Sequence, residues 1–304
     1  MERIFRVSYD KAIAKTNRMT YQAMEAFIHN LNTMHSRAGA QVPFSSINFG
    51  TDISPEGRMV IKNYLLAADA GLGKGETPIF PISIFKVKEG LNYNPGEPNY
   101  DLFQLSCKVS AKRLFPNFSF IDASFNLPYY KPGDYKTEIA YMGCRTRVMA
   151  NPANPDNEVV PGRGNLSFTT INLPRLGIKH GILDGKKADM KGFYEELGSI
   201  MDMVRDQLLE RFELQCSKKV YNFPFLLGQG VWIDSKNLKP NSRLKPVLKN
   251  GTLTIGFIGL AECLKALCGH HHGEDEKAQK LGLEIIKFMR DKCDEYIEEY
   301  KLNF

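Results

Sequence analysis

Short apolar stretches of strand length alternate with longer stretches of helical periodicity along most of this 304-residue chain. Strands are predicted at 42–50, 79–87, 117–125, 166–173 and 252–257. Helices are predicted at 20–38, 55–70, 99–114, 188–214, 260–267 and 274–300. Because strands separated by helices usually pair in parallel, this order predicts an α/β fold. No G-x-G-x-x-G or G-K-[ST] fingerprint occurs, so a barrel is favoured over a dinucleotide-binding sheet.

Capping residues and apolar stripes support several of these helices. Thr20 is a candidate N-cap for the first predicted helix, which ends before Gly39. Its apolar stripe from Met24 to Met34 is interpreted as core or subunit interface. Ser54 followed by Pro55 predicts an N-cap with proline in the first helical position.

Composition excludes several classes of protein. The chain is 43% hydrophobic with a net charge of +6, but no basic run or RNP1-type aromatic motif indicates nucleic-acid binding. Six cysteines without a C-x-x-C pair argue against a zinc ribbon or a disulfide framework. The most apolar stretch, 252–268, contains Glu262 and Lys265 and is too short to span a bilayer. We therefore expect a cytoplasmic chain with reduced thiols, bound neither to a membrane nor to nucleic acid.

One cysteine lies in a sequence context suited to chemistry. Gly143 precedes Cys144 between two loops rich in proline and glycine, so the backbone can turn tightly and present the thiol. Arg145 and Arg147 would favour a thiolate, although a buried structural thiol is the alternative. A second glycine turn at 162–164 feeds a strand and could bring Asn165 to the tip of that loop.

Four stretches closely resemble the anaerobic (class III) ribonucleoside-triphosphate reductases. They are residues 24–52, Met142-Gly-Cys-Arg-Thr146, Gly162-Arg-Gly-Asn-Leu-Ser-Phe-Thr-Thr-Ile-Asn-Leu-Pro174 and Ile255-Gly-Phe-Ile-Gly-Leu-Ala-Glu-Cys263. The resemblance implies a ten-stranded α/β barrel with a finger loop threading its centre. It also implies reduction of ribonucleoside triphosphates to deoxyribonucleotides by thiyl and glycyl radical chemistry.

The resemblance also implies roles for particular residues. Cys144 matches the thiyl-radical cysteine that takes the ribose 3′ hydrogen, and Asn165, 21 residues further along, matches the active-site asparagine. Met142 and Thr146 flank the thiol as in the branch that uses formate. The loop 36–41 resembles the segment that relays the identity of the bound effector to the substrate pocket. Its candidate residues are Ser36, Arg37 and Gln41, with Ser45 and Ser46 following.

Parts of the family pattern are expected outside this sequence. These are an upstream cysteine, an ATP-binding regulatory domain, a phosphate loop, a zinc site and the radical glycine. The chain is therefore divided into a remnant helix, 1–19, and a partial catalytic barrel domain, 20–304, with no metal site of its own, and is predicted to be inactive alone. The resemblance further implies formate as co-substrate and ATP and deoxynucleotides as effectors. It also implies activation by a radical-SAM enzyme and a homodimeric state.

Alternatives remain open from the sequence. A different glycyl-radical enzyme is one alternative, and it is disfavoured because no Cys-Cys pair occurs. The alternative outside the class of complete enzymes is a non-catalytic fragment or one half of a split enzyme. The run His270-His271-His272 is interpreted as a solvated helix end rather than a metal site. Cys263 and Cys268 are predicted to pack in the core.

Overall fold

The structure is a computed structural model that describes residues 2–35, 39, 41–143, 146–158 and 160–304, and only the backbone of residues 2–5, 157 and 184. It is a mixed α/β protein. The chain divides into two units, Met1–Met149 and Ala150–Phe304. Each unit contains parallel strands joined through helices, as the order of elements in the sequence predicts.

The first unit is built on a three-stranded parallel sheet in the order β1-β2-β3. Its elements are α1 (Glu2–Thr33), β1 (Ser46–Phe49), α2 (Pro55–Ala70), β2 (Ile82–Val87), α3 (Tyr100–Arg113) and β3 (Asn117–Phe120). A separate antiparallel hairpin follows, formed by β4 (Ala140–Met142) and β5 (Thr146–Val148). The helices α2 and α3 are the crossovers that make β1, β2 and β3 parallel.

The two faces of this sheet differ in chemistry. Alternate residues of a strand point to opposite faces, so Phe49, Phe85 and Phe118 share one face. They pack with the buried residues Ile61 and Leu65 of α2, together with Leu102 and Val109 of α3. The opposite face carries most of the polar residues of the three strands, which are Ser46, Asn48, Lys86, Asn117 and Ser119. Ser83 is the exception, since it lies on the phenylalanine face and bonds to the hydroxyl of Tyr64. One face is therefore a conventional apolar core and the other is available for polar contacts.

The second unit is built on two long parallel strands. Its elements are β6 (Asn165–Asn172), α4 (Leu173–His180), α5 (Met190–Ser217), α6 (Lys245–Leu248), β7 (Thr252–Ile258), α7 (Leu260–Cys268) and α8 (Glu276–Tyr300). β6 and β7 pair from Asn165 opposite Thr252 to Asn172 opposite Ile258. On its other side Thr252 forms a parallel bridge with Asn303.

The core of the second unit lies along one face of α5. Phe193, Leu197, Met201, Leu208 and Phe212 recur at helical spacing and are almost completely buried. They pack against buried residues of β6, β7, α7 and α8, namely Ile171, Leu253, Cys263, Leu264, Ile285 and Tyr296. α4 and α7 approach so closely that a Cβ at Gly177 would lie 2.7 Å from the carbonyl oxygen of Cys263. This interface is therefore restricted to glycine at position 177.

Several local predictions are confirmed. Ser54 is the N-cap of α2, where its hydroxyl accepts a hydrogen bond from the amide of Gly57 at 3.1 Å, and Pro55 begins the helix. α5 and α8 lie where the periodicity places them. Ile28 of α1 is buried against Tyr64 and Ala67 of α2, so the stripe of α1 contributes to a core.

Other local predictions are wrong. Thr20 is not an N-cap, because α1 runs unbroken from Glu2 to Thr33 and the Thr20 hydroxyl instead donates to the carbonyl of Thr16 at 2.9 Å. The division at residues 19 and 20 stays a prediction. Cys268 at the end of α7 is exposed and does not pack in the core. Met34 is exposed as well, so the subunit-interface interpretation of that end of the stripe stays a prediction. The strands of the described residues form three separate sheets, so the barrel stays a prediction.

Candidate active site

The hairpin β4–β5 places two of the predicted site residues opposite each other. Met142 ends β4 and Thr146 begins β5, and the two are cross-strand partners. The connection between them is residues 143–145, of which Cys144 and Arg145 lie outside the described residues. Gly143 has φ of +63°, and a Cβ there would lie 2.7 Å from a ring carbon of Phe44. The backbone conformation therefore favours glycine immediately before the cysteine, and a larger residue there would also have to displace the exposed ring of Phe44.

Side chains of β1 hold the backbone of this hairpin. Asn48 donates from Nδ2 to the carbonyl of Tyr141 and accepts at Oδ1 from its amide, both at 2.8 Å. The amide of Gly143 donates to Oγ of Ser46 at 3.0 Å. Ser46 and Asn48 are two residues apart on β1 and thus lie on the same, polar face of the sheet. The Asn48 side chain thus makes the pair of hydrogen bonds to Tyr141 that the backbone of a neighbouring strand would normally make, and it fixes β4 alongside β1.

A buried ion pair anchors the segment that enters the hairpin. Lys86 Nζ lies 2.6 Å from Glu138 Oε2, with side-chain exposures of 9% and 19%. Thr51 donates to the same carboxylate oxygen at 3.1 Å. Because a buried charge is tolerated only when it is paired and hydrogen-bonded, these contacts fix Glu138 beyond the carboxyl end of β1. Sequence reasoning missed Asn48, Lys86 and Glu138; a lysine in the apolar strand 82–87 was the available signal.

An open cavity of about 500 Å³ lies at this end of the first unit. Ligands of parallel α/β sheets often bind beyond the carboxyl ends of the strands. The polar residues that line it are Asn48, Thr51, Asp52, Ser54, Glu56, Lys86 and Glu138. Gly143 contacts the amino end of β1, so the hairpin connection and this cavity lie at opposite ends of that strand.

Arg147 is engaged by residues that precede the hairpin. Its guanidinium donates to Oδ1 of Asn126 at 2.9 Å and lies 4.9 Å from the centre of the Phe125 ring. The predicted influence of Arg145 and Arg147 on the Cys144 thiol stays a prediction. Burial raises the pKa of the Cys216, Cys263 and Cys293 thiols to about 11. These three thiols are therefore protonated at neutral pH and suited to packing rather than thiolate chemistry.

Asn165 is the first residue of β6 in the second unit. The glycine turn that precedes it does feed a strand, as predicted, with a register shift between Asn165 and Ser167. Its side chain is exposed, and Oδ1 accepts from Oγ1 of Thr254 on β7 at 3.5 Å. Asn165 also borders a cavity of about 400 Å³ in this unit. The side chain is thus free to contact a ligand, and its role stays a prediction.

The predicted relay residues are only partly described. Ser36 and Arg37 lie outside the described residues. Ser46 contacts the hairpin at Gly143, and the carbonyl of Ser45 accepts from the amide of Ile82 at 2.8 Å, so both are tied to the sheet. Gln41 also has a contact within the protein. A role for these residues in relaying effector identity stays a prediction.

The described side chains contain no group of three or more His, Cys, Asp or Glu residues that could hold a metal ion. His271 instead contacts Glu274, with Nε2 lying 3.1 Å from Oε1. None of the helices within the described ranges is long and apolar enough to cross a membrane.

Comparison with known proteins identifies the family. Residues 4–304 match the family described as anaerobic ribonucleoside-triphosphate reductase. Curated relatives of that name from Salmonella typhimurium and Escherichia coli are each 29% identical over 297 residues, which is 96% of this chain and 40% of the relative. The relative from Enterobacteria phage T4 is 33% identical over 267 residues, covering 87% of this chain and 42% of its own length. The chain therefore spans about two fifths of the length of these relatives, and it belongs to the anaerobic ribonucleoside-triphosphate reductase family.

Proposed function

We propose that this chain is a catalytic segment of an enzyme that reduces ribonucleoside triphosphates to deoxyribonucleoside triphosphates. The observation that carries the proposal is the family match over residues 4–304. The hairpin supports it, because Tyr141 and Gly143, which lead towards Cys144 in the sequence, are held against β1 by three hydrogen bonds. Fixed geometry of this kind is what a hydrogen-atom transfer between sulfur and carbon requires.

In this proposal Cys144 performs the hydrogen transfer. A glycyl radical, supplied by a segment of the family pattern outside this sequence, would remove the hydrogen atom from the Cys144 thiol. Cys144 then takes the hydrogen atom from ribose C3′, so that an S–H bond forms, a C–H bond breaks and the unpaired electron passes to the sugar. Asn165, whose amide is exposed, donates to or accepts from the ribose hydroxyls.

Met142 and Thr146 are proposed to flank the thiol and to make the site specific for formate as reductant. Their cross-strand pairing supports this, since it places one on either side of the connection that contains Cys144. Burial of substrate and formate between rigid elements would exclude water from the reacting radical.

The remaining expectations from the family resemblance are part of the same proposal. The ten-stranded barrel, the cytoplasmic location and activation by a radical-SAM enzyme belong to it. ATP and deoxynucleotides would act as effectors through Ser36, Arg37, Gln41, Ser45 and Ser46. A homodimer is proposed through α1, which exposes the apolar side chains of Val7, Tyr9, Ile13 and Met19, and through Met34 just beyond its end.

The test replaces Cys144 by alanine in a complete enzyme that contains this chain. We expect deoxynucleotide formation to be abolished while the glycyl radical signal in electron paramagnetic resonance keeps its intensity. Cys107→Ala is the matched control, because Cys107 is an exposed free thiol on α3 of the same unit. Retained turnover in Cys144→Ala would contradict the assignment.

A further inference from the structure

The net charge of the chain is concentrated in residues 218–249 of the second unit, called here the basic segment. These 32 residues contain seven lysines and arginines and one aspartate, which gives a net charge of +6. The other 272 residues contain 33 basic and 33 acidic residues, so they are neutral in sum. All seven cations of the basic segment are exposed. The segment therefore presents a positive surface on a chain that is otherwise balanced.

Little of this charge is neutralised within the protein. Among the described residues, the basic segment makes a single ion pair, between Lys245 Nζ and Glu213 Oε1 at 2.8 Å. An antiparallel bridge pairs Lys219 with Arg243, so two further cations from distant parts of the segment lie side by side. Like charges that are held close together repel one another, and an anionic partner placed among them relieves that repulsion.

An open cavity of about 400 Å³ lies beside these cations. Six of its eleven lining residues are leucines. Lys218 lines the cavity directly, and Arg243 and Lys245 flank Leu244, which also lines it. The cavity is thus an apolar recess with cations at its rim.

The loop 221–233, which forms part of the cavity wall, adds exposed apolar side chains. Phe225, Val231 and Ile233 are 66%, 56% and 41% exposed. The loop is fixed by backbone contacts, such as the hydrogen bond from the Trp232 amide to the carbonyl of Leu226 at 2.9 Å. Clustered apolar exposure marks interaction sites, and a surface that is already ordered loses little conformational entropy on binding.

We infer that the basic segment is a docking surface for an acidic segment of a partner protein, in which large apolar side chains lie between carboxylates. The apolar side chains enter the leucine-lined cavity, and the carboxylates on either side contact Lys218, Lys219 and Arg243. The inference concerns binding alone and stands independently of the reductase chemistry proposed above.

Two other occupants fit the surface less well. A second copy of this chain supplies no net negative charge, and a symmetric contact would bring two basic segments together. Single-stranded nucleic acid binds by stacking its bases on aromatic faces, whereas most of the cavity wall is leucine. An acidic peptide with an apolar anchor matches both the charge of the rim and the chemistry of the recess.

The test follows the fluorescence anisotropy of a labelled peptide, Glu-Asp-Glu-Leu-Phe-Glu-Asp-Glu, titrated with the 304-residue chain. We expect its affinity to fall about tenfold between about 50 and about 500 mM NaCl, because salt screens exposed charges. A peptide with glutamine and asparagine in place of the acids should bind about tenfold more weakly at low salt. A peptide with serine in place of leucine and phenylalanine should also bind about tenfold more weakly.

Charge-reversal variants locate the contact on the basic segment. Lys218→Glu combined with Lys219→Glu should weaken binding of the acidic peptide about tenfold. Lys186→Glu combined with Lys187→Glu is the matched control, because it reverses an adjacent exposed lysine pair in the same unit outside the basic segment. The control should change the affinity less than about twofold, since exposed charges further apart than the Debye length are screened.

An uncharged variant tests the cavity. Leu214→Gln alters its wall without changing the charge, and should weaken binding of the acidic peptide about fivefold while leaving that of the serine peptide unchanged. Met203→Gln is the control, because Met203 is an exposed apolar residue of the same helix that does not line the cavity. The peptide series on the unaltered chain decides the question if a variant fails to fold.

Several results would overturn the inference. No binding of the acidic peptide at millimolar concentration would do so, as would equal affinities for the acidic and serine peptides. Tighter binding of an oligothymidylate than of the acidic peptide would assign the surface to nucleic acid instead. Self-association of the chain that is lost on combining Lys218→Glu with Lys219→Glu, measured by light scattering, would assign it to a second copy.

Discussion

The two units support their candidate residues by different means. In the first, the hairpin that leads to Cys144 is held by the Asn48 amide, the Ser46 hydroxyl and the buried Lys86–Glu138 pair. In the second, the strand that begins at Asn165 is backed by an apolar core along α5. Hydrogen bonds and ion pairs are directional, whereas apolar burial is not. The first unit can thus fix a short hairpin in one register, while the second provides a stable strand with an exposed side chain at its start.

The largest expected effect comes from breaking the apolar support of the second unit. Phe193→Ala removes a completely buried ring from the centre of its core and should lower the free energy of unfolding by about 4 kcal/mol. Urea denaturation, with amide hydrogen exchange of α5, measures the loss. Phe85→Ala is the companion change in the first unit, since Phe85 is equally buried. A loss below about 1 kcal/mol for Phe193→Ala would show that the α5 face is not the core.

A somewhat smaller effect is expected from the buried ion pair of the first unit. Glu138→Ala leaves the Lys86 ammonium buried without a carboxylate, so stability should fall by about 3 kcal/mol. Combining it with Lys86→Met removes the unpaired charge and should restore most of that loss. Denaturation of the single and double variants provides the measurement. If the double variant is no more stable than Glu138→Ala, the unpaired charge is not the cause.

The smallest effect concerns the amide that holds β4. Asn48→Leu keeps the volume but leaves the amide and carbonyl of Tyr141 without their partner, which should cost about 2 kcal/mol. The Tyr141 amide should also exchange faster with solvent. Ser119→Ala is the control on the same sheet face, because the buried Ser119 hydroxyl has no partner among the described side chains, and its removal should be neutral. Unchanged exchange at Tyr141 in Asn48→Leu would mean that the hairpin is held by something else.

The sequence predicts the layered part of the fold because local signals agree with one another there. Ser54-Pro55 predicts the start of α2 by capping chemistry, and the spacing of Phe193, Leu197 and Leu208 predicts the buried face of α5. α4 was missed, although Asn172 accepts from the amide of Arg175 and a proline lies in the first turn. The predicted strand ends at residue 173 and no element is predicted for the residues that follow, although this capping signal was available.

The contacts that build the candidate site could not be predicted in the same way. Asn48 replaces a strand backbone only because residues 93 positions later lie beside it, and no local pattern encodes that distance. The apolar stripe from Met24 predicts a helix that starts at Thr20, whereas α1 continues through Thr20 without a proline or glycine to end it. The glycine before the cysteine predicts a tight turn, and Gly143 itself has the positive φ, +63°, that favours glycine.

The central claim is that Cys144 takes the hydrogen atom from ribose C3′. The most direct measurement uses substrate carrying tritium at C3′ in a complete enzyme containing this chain. Thiol hydrogens exchange with water, so a fraction of the tritium should appear in the solvent during turnover. We predict that release with the unaltered enzyme and with Cys107→Ala, and none with Cys144→Ala. Tritium release that persists in Cys144→Ala would contradict the account.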